Sequence, residues 1–108
     1  MGNLEITSIC FEGDEWGEPY DVMDCNMDVS FTLSDNTEWV ATFFTYQNIE
    51  TLRTKNQSTG ECLNGMYFCA SDMVLIERMD KEKIRNIVED MLLNGEFKLF
   101  CTQILKTD

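Results

Sequence analysis

Residues 23–33 alternate strictly between apolar and polar side chains, and this pattern constrains the fold more than any other feature of the chain. The apolar members are Met23, Cys25, Met27, Val29, Phe31 and Leu33. A period of two over this length predicts one long strand with a buried face and a wet face, as is typical of an antiparallel sheet. We therefore expect the six apolar side chains to be buried.

A turn and a second strand follow this segment directly. Residues 34–37 supply turn residues that tolerate a left-handed backbone. Residues 38–44 are rich in aromatic and β-branched side chains, which favours a return strand. An earlier strand is expected over residues 4–11, joined to the hairpin by an acidic loop over residues 12–19. The first part of the chain is therefore predicted as three strands.

A helix is expected to follow the third strand. Thr45 is predicted as its N-cap, with Ile49 and Leu52 facing inward, and the helix is expected to end by Asn56. Residues 57–65 are polar and bounded by glycine, which indicates a loop.

The remaining chain adds strands around a second helix. Residues 67–70 and 73–76 are predicted as strand, and residues 97–101 as the last strand. Asp80 is the expected cap of a helix with an apolar stripe, which ends at Gly95. The order βββ-α-β-α-β predicts an α+β domain with a single antiparallel or mixed sheet and two helices packed on one face.

Length and composition allow one core and indicate a reduced compartment. At 108 residues, with 44% apolar and 11% aromatic side chains, the chain is expected to form one compact domain over residues 1–108. No signal peptide or membrane-length apolar run is visible. Five cysteines, an odd number, predict reduced and mostly buried thiols rather than a disulfide framework. We expect a soluble, cytoplasmic protein.

Charge is distributed very unevenly along the chain. The first 52 residues contain eleven acids and no lysine or arginine, whereas residues 53–108 contain all eight bases and nine acids. The net charge is −12. Such a block repels nucleic acid and anionic membranes and attracts basic surfaces.

Histidine-dependent chemistry is excluded, and no other catalytic or cofactor-binding motif is visible. The chain has no histidine, so His-based nucleophilic triads and His-ligated zinc are excluded. Cys62 and Cys69, the most closely spaced cysteines, are too far apart for a usual structural zinc pair. The glycines match neither a P-loop nor a dinucleotide fingerprint. We therefore expect a protein without catalytic residues, metal or cofactor.

The candidate site is an acidic surface with aromatic side chains, built from the loop and the wet face of the long strand. We call this set the acidic surface: Asp14, Glu15, Trp16, Glu18, Tyr20, Asp21, Asp24 and Asp28. Side chains on one face of a strand repeat every ~6.6 Å, close to the phosphate spacing of a nucleic-acid strand, and Asp24, Asn26 and Asp28 form such a row. Trp and Tyr are favoured as interface anchors. Calcium binding and a merely solubilising role are the alternatives, although the spacing does not match an EF-hand.

This profile indicates a binding protein rather than an enzyme. In size and composition it resembles phage-encoded inhibitors of host nucleases, of the anti-CRISPR and anti-restriction type, and immunity proteins that neutralise toxin nucleases. Both imply a basic protein partner that normally binds nucleic acid, reached by electrostatic steering. A small-molecule or nucleotide sponge, using Arg53, Lys55, Arg78 and the second helix, is a third hypothesis.

Overall fold

A computed structural model describes residues 4–105, so the predicted domain of residues 1–108 reaches beyond the described part at both ends. The elements are β1 (Ile6–Phe11), a 3₁₀ turn (Glu12–Glu15), β2 (Asn26–Leu33), β3 (Glu38–Thr45), α1 (Tyr46–Thr59), α2 (Glu61–Gly65), β4 (Met73–Ile76), α3 (Lys81–Asn94), α4 (Phe97–Phe100) and β5 (Thr102–Ile104). The predicted α+β class is confirmed, as is the order of its main elements.

The five strands form a single mixed sheet. Its order is β1-β2-β3-β4, with antiparallel pairing of β1 with β2 and of β2 with β3, and parallel pairing of β3 with β4. β5 pairs antiparallel with residues 38–40 of β3, so it lies in line with β4 on the same side of β3. β1 therefore forms one edge of the described sheet, and β4 and β5 together form the other.

One face of the sheet carries the core, and α3 covers it. The buried cluster combines Met27, Val29, Phe31 and Leu33 of β2, Ala41 and Phe43 of β3, Ile84, Val88 and Met91 of α3, and Phe97 of α4, among others. Asp80 caps α3 by accepting hydrogen bonds from the backbone N–H groups of Glu82 and Lys83, and Gly95 ends it with a left-handed backbone. The predicted second helix is therefore confirmed.

The long strand begins three residues later than the alternation indicates. Met27, Val29, Phe31 and Leu33 are buried as predicted. Met23 and Cys25, however, are only half-buried and precede β2. The Asp21 side chain accepts a hydrogen bond from the Met23 backbone N–H at 2.9 Å, which holds a local turn that competes with strand pairing. The predicted start of the strand at residue 23 was wrong for this reason.

The turn between β2 and β3 and the cap of α1 follow the prediction, but the inward face of α1 does not. Asn36 takes the left-handed backbone in the turn, and Thr45 accepts the hydrogen bond from the Asn48 backbone N–H. α1 runs to Thr59 instead of ending by residue 56, and its buried residues are Asn48 and Asn56 rather than Ile49 and Leu52. α1 meets the sheet through polar contacts, because the Asn26 amide donates to the Asn48 side chain at 2.9 Å.

Two segments predicted as strand are not strand. Residues 67–70 have no regular structure, and β3 pairs on this side with β4 and β5. Phe68 instead packs against Phe44, with ring centroids 5.5 Å apart. Most of the last predicted strand, residues 97–101, forms the short helix α4, and β5 begins only at Thr102.

The predicted polar loop over residues 57–65 was also wrong in detail. Its first three residues complete α1, which ends at the left-handed Gly60. The remainder is α2, whose residues 62–64 have positive φ. α1 and α2 add no side chain to the buried core cluster of the described residues, and the molecule is elongated, with extents of 51 × 31 × 28 Å.

Candidate functional site

The acidic loop begins with a turn that is packed onto the core. Gly13 is buried within the 3₁₀ turn. A Cβ atom at this position would lie 2.8 Å from Cε1 of Tyr20 and 2.9 Å from Cε of Met27. Only glycine fits at these distances without movement of its neighbours, so the backbone of the turn approaches the core closely. This contact holds the start of the loop in a defined position.

The two aromatic residues of the acidic surface differ in burial. Their rings form an edge-to-face pair with centroids 5.3 Å apart. Tyr20 packs against the core cluster, whereas 38% of Trp16 is exposed. Tyr20 therefore fixes one side of the Trp16 ring and leaves the other available, and Trp16 is the better placed of the two to contact a partner.

One carboxylate of the acidic surface is paired with a cation. The Lys81 ammonium lies 2.8 Å from each Asp14 carboxylate oxygen. This hydrogen bond raises the pKa of Lys81. Although the first 52 residues contain no base, the second half of the chain supplies a cation to Asp14, because α3 begins beside the loop. No other ion pair reaches the acidic surface among residues 4–105.

Two further carboxylates are held by hydrogen bonds to neutral groups. Asp24 accepts from the Asn48 amide at 3.0 Å and from the Thr51 hydroxyl at 2.8 Å. Asp28 accepts from the Thr42 hydroxyl at 2.7 Å. These contacts fix the orientation of both side chains and leave their negative charges uncancelled.

The loop and the sheet form one continuous acidic region. Oε1 of Glu12 accepts a hydrogen bond from the Asp28 backbone N–H at 3.1 Å, which brings the beginning of the loop against β2. Glu15, Glu18 and Asp21 are exposed on the same loop. Glu12 lies outside the set predicted from sequence, and its place beside Asp28 depends on how the loop folds back.

The wet face of the sheet is larger than the sequence indicated, and we call it the open face. Strand register places mostly polar side chains in rows across it, on the face opposite the core. One row contains Ser8, Thr32, Glu38 and Ile104, and the next contains Cys10, Ser30, Val40 and Thr102. A shallow groove of about 230 Å³ lies among Ser8, Cys10, Ser30, Phe31, Thr32 and Glu38. Glu38 lies on the same face of the sheet as Asp28, because the register pairs it with Thr32 of β2. The alternation of β3 could have indicated this position from the sequence.

The described residues contain no cluster of metal ligands, and their cysteines differ in burial. No group of three or more Cys, Asp or Glu residues within residues 4–105 could hold a metal ion. All five cysteines are free thiols, but the expectation that most are buried was wrong, because Cys10 and Cys69 are exposed. Burial raises the pKa of Cys101 to about 11, with a further contribution from Asp72. Burial followed by the charges of Asp21 and Asp24 raises the pKa of Cys25.

Three of the six basic residues that a nucleotide sponge would use, on α1, on α3 and between them, form ion pairs with acids. Arg53 pairs with Glu50 at 3.1 Å, and Arg85 of α3 pairs with Glu89 at 3.2 Å. Lys81, at the start of the same helix, is bound to Asp14, as described above. These exposed pairs contribute little stability, yet they place an acid beside Arg53, Lys81 and Arg85. Such a surface is poorly suited to an anionic ligand.

Comparison of the chain with protein-family models, with curated proteins and with solved structures gives no match. Within residues 4–105, no helix is long and apolar enough to cross a membrane.

Proposed function

We propose that this protein is a non-enzymatic inhibitor that binds a basic protein and occupies its nucleic-acid site. The observation that carries the proposal is the continuity of the acidic loop with the open face, through the contact between Glu12 and the Asp28 backbone. It supports a single negative surface in which Asp14 pairs with Lys81 and no other member forms an ion pair within residues 4–105. A surface of this kind accelerates encounter with a cationic groove and selects against neutral or acidic partners.

The remaining features support the same reading. Exposed Trp16, held by Tyr20, offers an apolar contact at the edge of the carboxylates, where a desolvated aromatic ring contributes most. Asp24 and Asp28 are fixed by hydrogen bonds and so lose little side-chain entropy on binding. An inhibitor of a defence nuclease, as in anti-CRISPR and anti-restriction proteins, needs such a surface. An immunity protein against a toxin nuclease needs the same one, and the identity of the partner would distinguish the two.

The test is capture of partners from a bacterial lysate on the immobilised protein, with two double variants of equal charge. Glu15→Lys with Glu18→Lys changes the exposed loop, whereas Glu61→Lys with Glu89→Lys changes α2 and α3 by the same amount. We expect the wild type and the α2/α3 variant to retain a basic, nucleic-acid-binding protein that the loop variant loses. Added nucleic acid should release it from the wild type.

Two results would count against the proposal. Equal capture by the loop variant would show that the loop carboxylates are not the contact surface. Capture that nucleic acid cannot displace would show that the partner is held elsewhere than at its nucleic-acid site. A small metabolite that copurifies with the protein, detected by native mass spectrometry, would favour the sponge hypothesis instead.

A further inference from the structure

The outer edge of β4 has unpaired backbone groups. Among the described strands β4 pairs with β3 alone. The Thr42 backbone N–H donates to the Asp72 carbonyl at 2.9 Å, so the carbonyl that precedes β4 points towards β3. Because successive residues of a strand point their N–H and C=O groups to opposite sides, Met73 and Leu75 direct theirs outward. An edge of this kind is a template for another strand.

An apolar groove with an acidic rim runs beside this edge. It encloses about 350 Å³ between β4 and the two helices of the C-terminal half. Its lining is Met73, Val74, Leu75, Asp90, Met91, Glu96 and Phe100. Leu75 and Phe100 are 39% and 41% exposed, so apolar surface is open to solvent here. No lysine or arginine lines the groove, and neither Asp90 nor Glu96 forms an ion pair within residues 4–105.

We propose that the β4 edge and this groove bind an extended segment of a partner protein. The segment adds a strand beside residues 73–76 through the outward backbone groups of Met73 and Leu75. It places an apolar side chain in the groove and lysine or arginine side chains against Asp90 and Glu96. Strand addition obtains affinity from main-chain hydrogen bonds and specificity from pockets for alternate side chains. This site shares no residue with the acidic surface, so each can be tested without the other.

The negative charge of the groove favours a cationic segment over a second copy of the chain. Two copies paired through β4 would bring Asp90 and Glu96 close to their own equivalents, and each copy carries a net charge of −12. A cationic segment removes this repulsion. The other edge of the sheet is less suited to strand addition, because the register of β1 shifts between Ile6 and Ser8. Such irregularities protect edge strands from pairing.

The experiment titrates the isotope-labelled full chain with three synthetic heptapeptides and follows its backbone amides by NMR. The first peptide alternates valine and threonine between two terminal lysines. The second carries glutamate in place of the lysines, and the third has lysine ends but N-methylated backbone amides, which cannot donate. We expect the first peptide alone to shift β4 and Phe100 resonances and to slow exchange of the Met73 and Leu75 amides by roughly tenfold.

A charge-exchanged variant supplies the matched control, since both acids are exposed and their replacement leaves the core intact. In Asp90→Lys with Glu96→Lys, the glutamate peptide should bind and the lysine peptide should not. Equal binding of the N-methylated peptide, no response at β4, or an unchanged preference in the variant would each overturn the proposal. Concentration-dependent shifts of β4 amides without any peptide would assign the edge to a second copy and overturn it as well.

Discussion

The carboxylates of the acidic surface differ in how firmly the fold holds them. Asp24 and Asp28 accept side-chain hydrogen bonds, and Asp21 accepts the Met23 backbone N–H. Glu15 and Glu18 are exposed on the loop and make no hydrogen bond or ion pair with residues 4–105. Substitution of these two glutamates therefore changes the electrostatic field with little cost to the folded state, whereas substitution of Asp24 also breaks contacts with α1.

Thiol reactivity is the first residue-level prediction. Cys10 and Cys69 are exposed and should react first with iodoacetamide near pH 8. Cys101 is buried and its pKa is raised to about 11, so it should react only after unfolding, because the thiolate is the nucleophile. Timed alkylation followed by peptide mass spectrometry measures the order, and the unfolded, unreduced chain should take five modifications. Early labelling of Cys101, or fewer than five labels, would contradict this account of burial and redox state.

At the level of elements, β2 separates a core face from the open face, and matched substitutions test that division. Phe31→Asp should lower the free energy of unfolding by about 3–5 kcal/mol, because it buries an unpaired charge in a position only 2% exposed. Ser30→Asp places the same charge on the opposite face and should cost no more than about 1 kcal/mol. Chemical denaturation measures both. Similar losses in the two variants would contradict the assigned faces.

Elements with long periodic patterns could be predicted, and short apolar runs could not. The alternation in β2 and the helical stripe in α3 repeat often enough to specify a period. Residues 97–101 are too short for this, and there Phe97 and Cys101 are both buried one helical turn apart. A short apolar run fits helix and strand equally well, and tertiary packing decides between them. The late start of β2, at Asn26 rather than Met23, depended on the Asp21 turn, which the hydrophobic pattern does not indicate.

The candidate site was likewise only partly predictable. The acids and Trp16 could be identified from charge and composition alone. The pairing of Lys81 with Asp14 joins residues far apart in sequence, and the contact of Glu12 with β2 depends on the path of the loop. Neither contact can be recognised from the local sequence around its residues. The β4 groove was also beyond prediction, because it is assembled from a strand and two helices that meet only in the folded chain.

For the molecule as a whole, the uneven charge distribution is the property on which the proposed partner binding depends. The basic residues of the described chain lie on α1, α3 and the segments around them, whereas the acidic surface holds a single ion pair. In the absence of a partner, mutual repulsion among its carboxylates lowers the stability of the fold. A solubilising role alone would not require so many carboxylates close together. A cationic partner would relieve that repulsion on binding.

The most direct test of this central claim is the association rate with the captured partner as a function of ionic strength. Between about 50 and about 500 mM salt the Debye length falls from roughly 14 to roughly 4 Å, which screens long-range attraction. The wild-type rate should fall steeply over this range, and the Glu15→Lys, Glu18→Lys variant should associate more slowly with a shallower dependence. A wild-type rate that does not change with salt, together with equal association of the variant, would contradict the proposed role of the acidic surface.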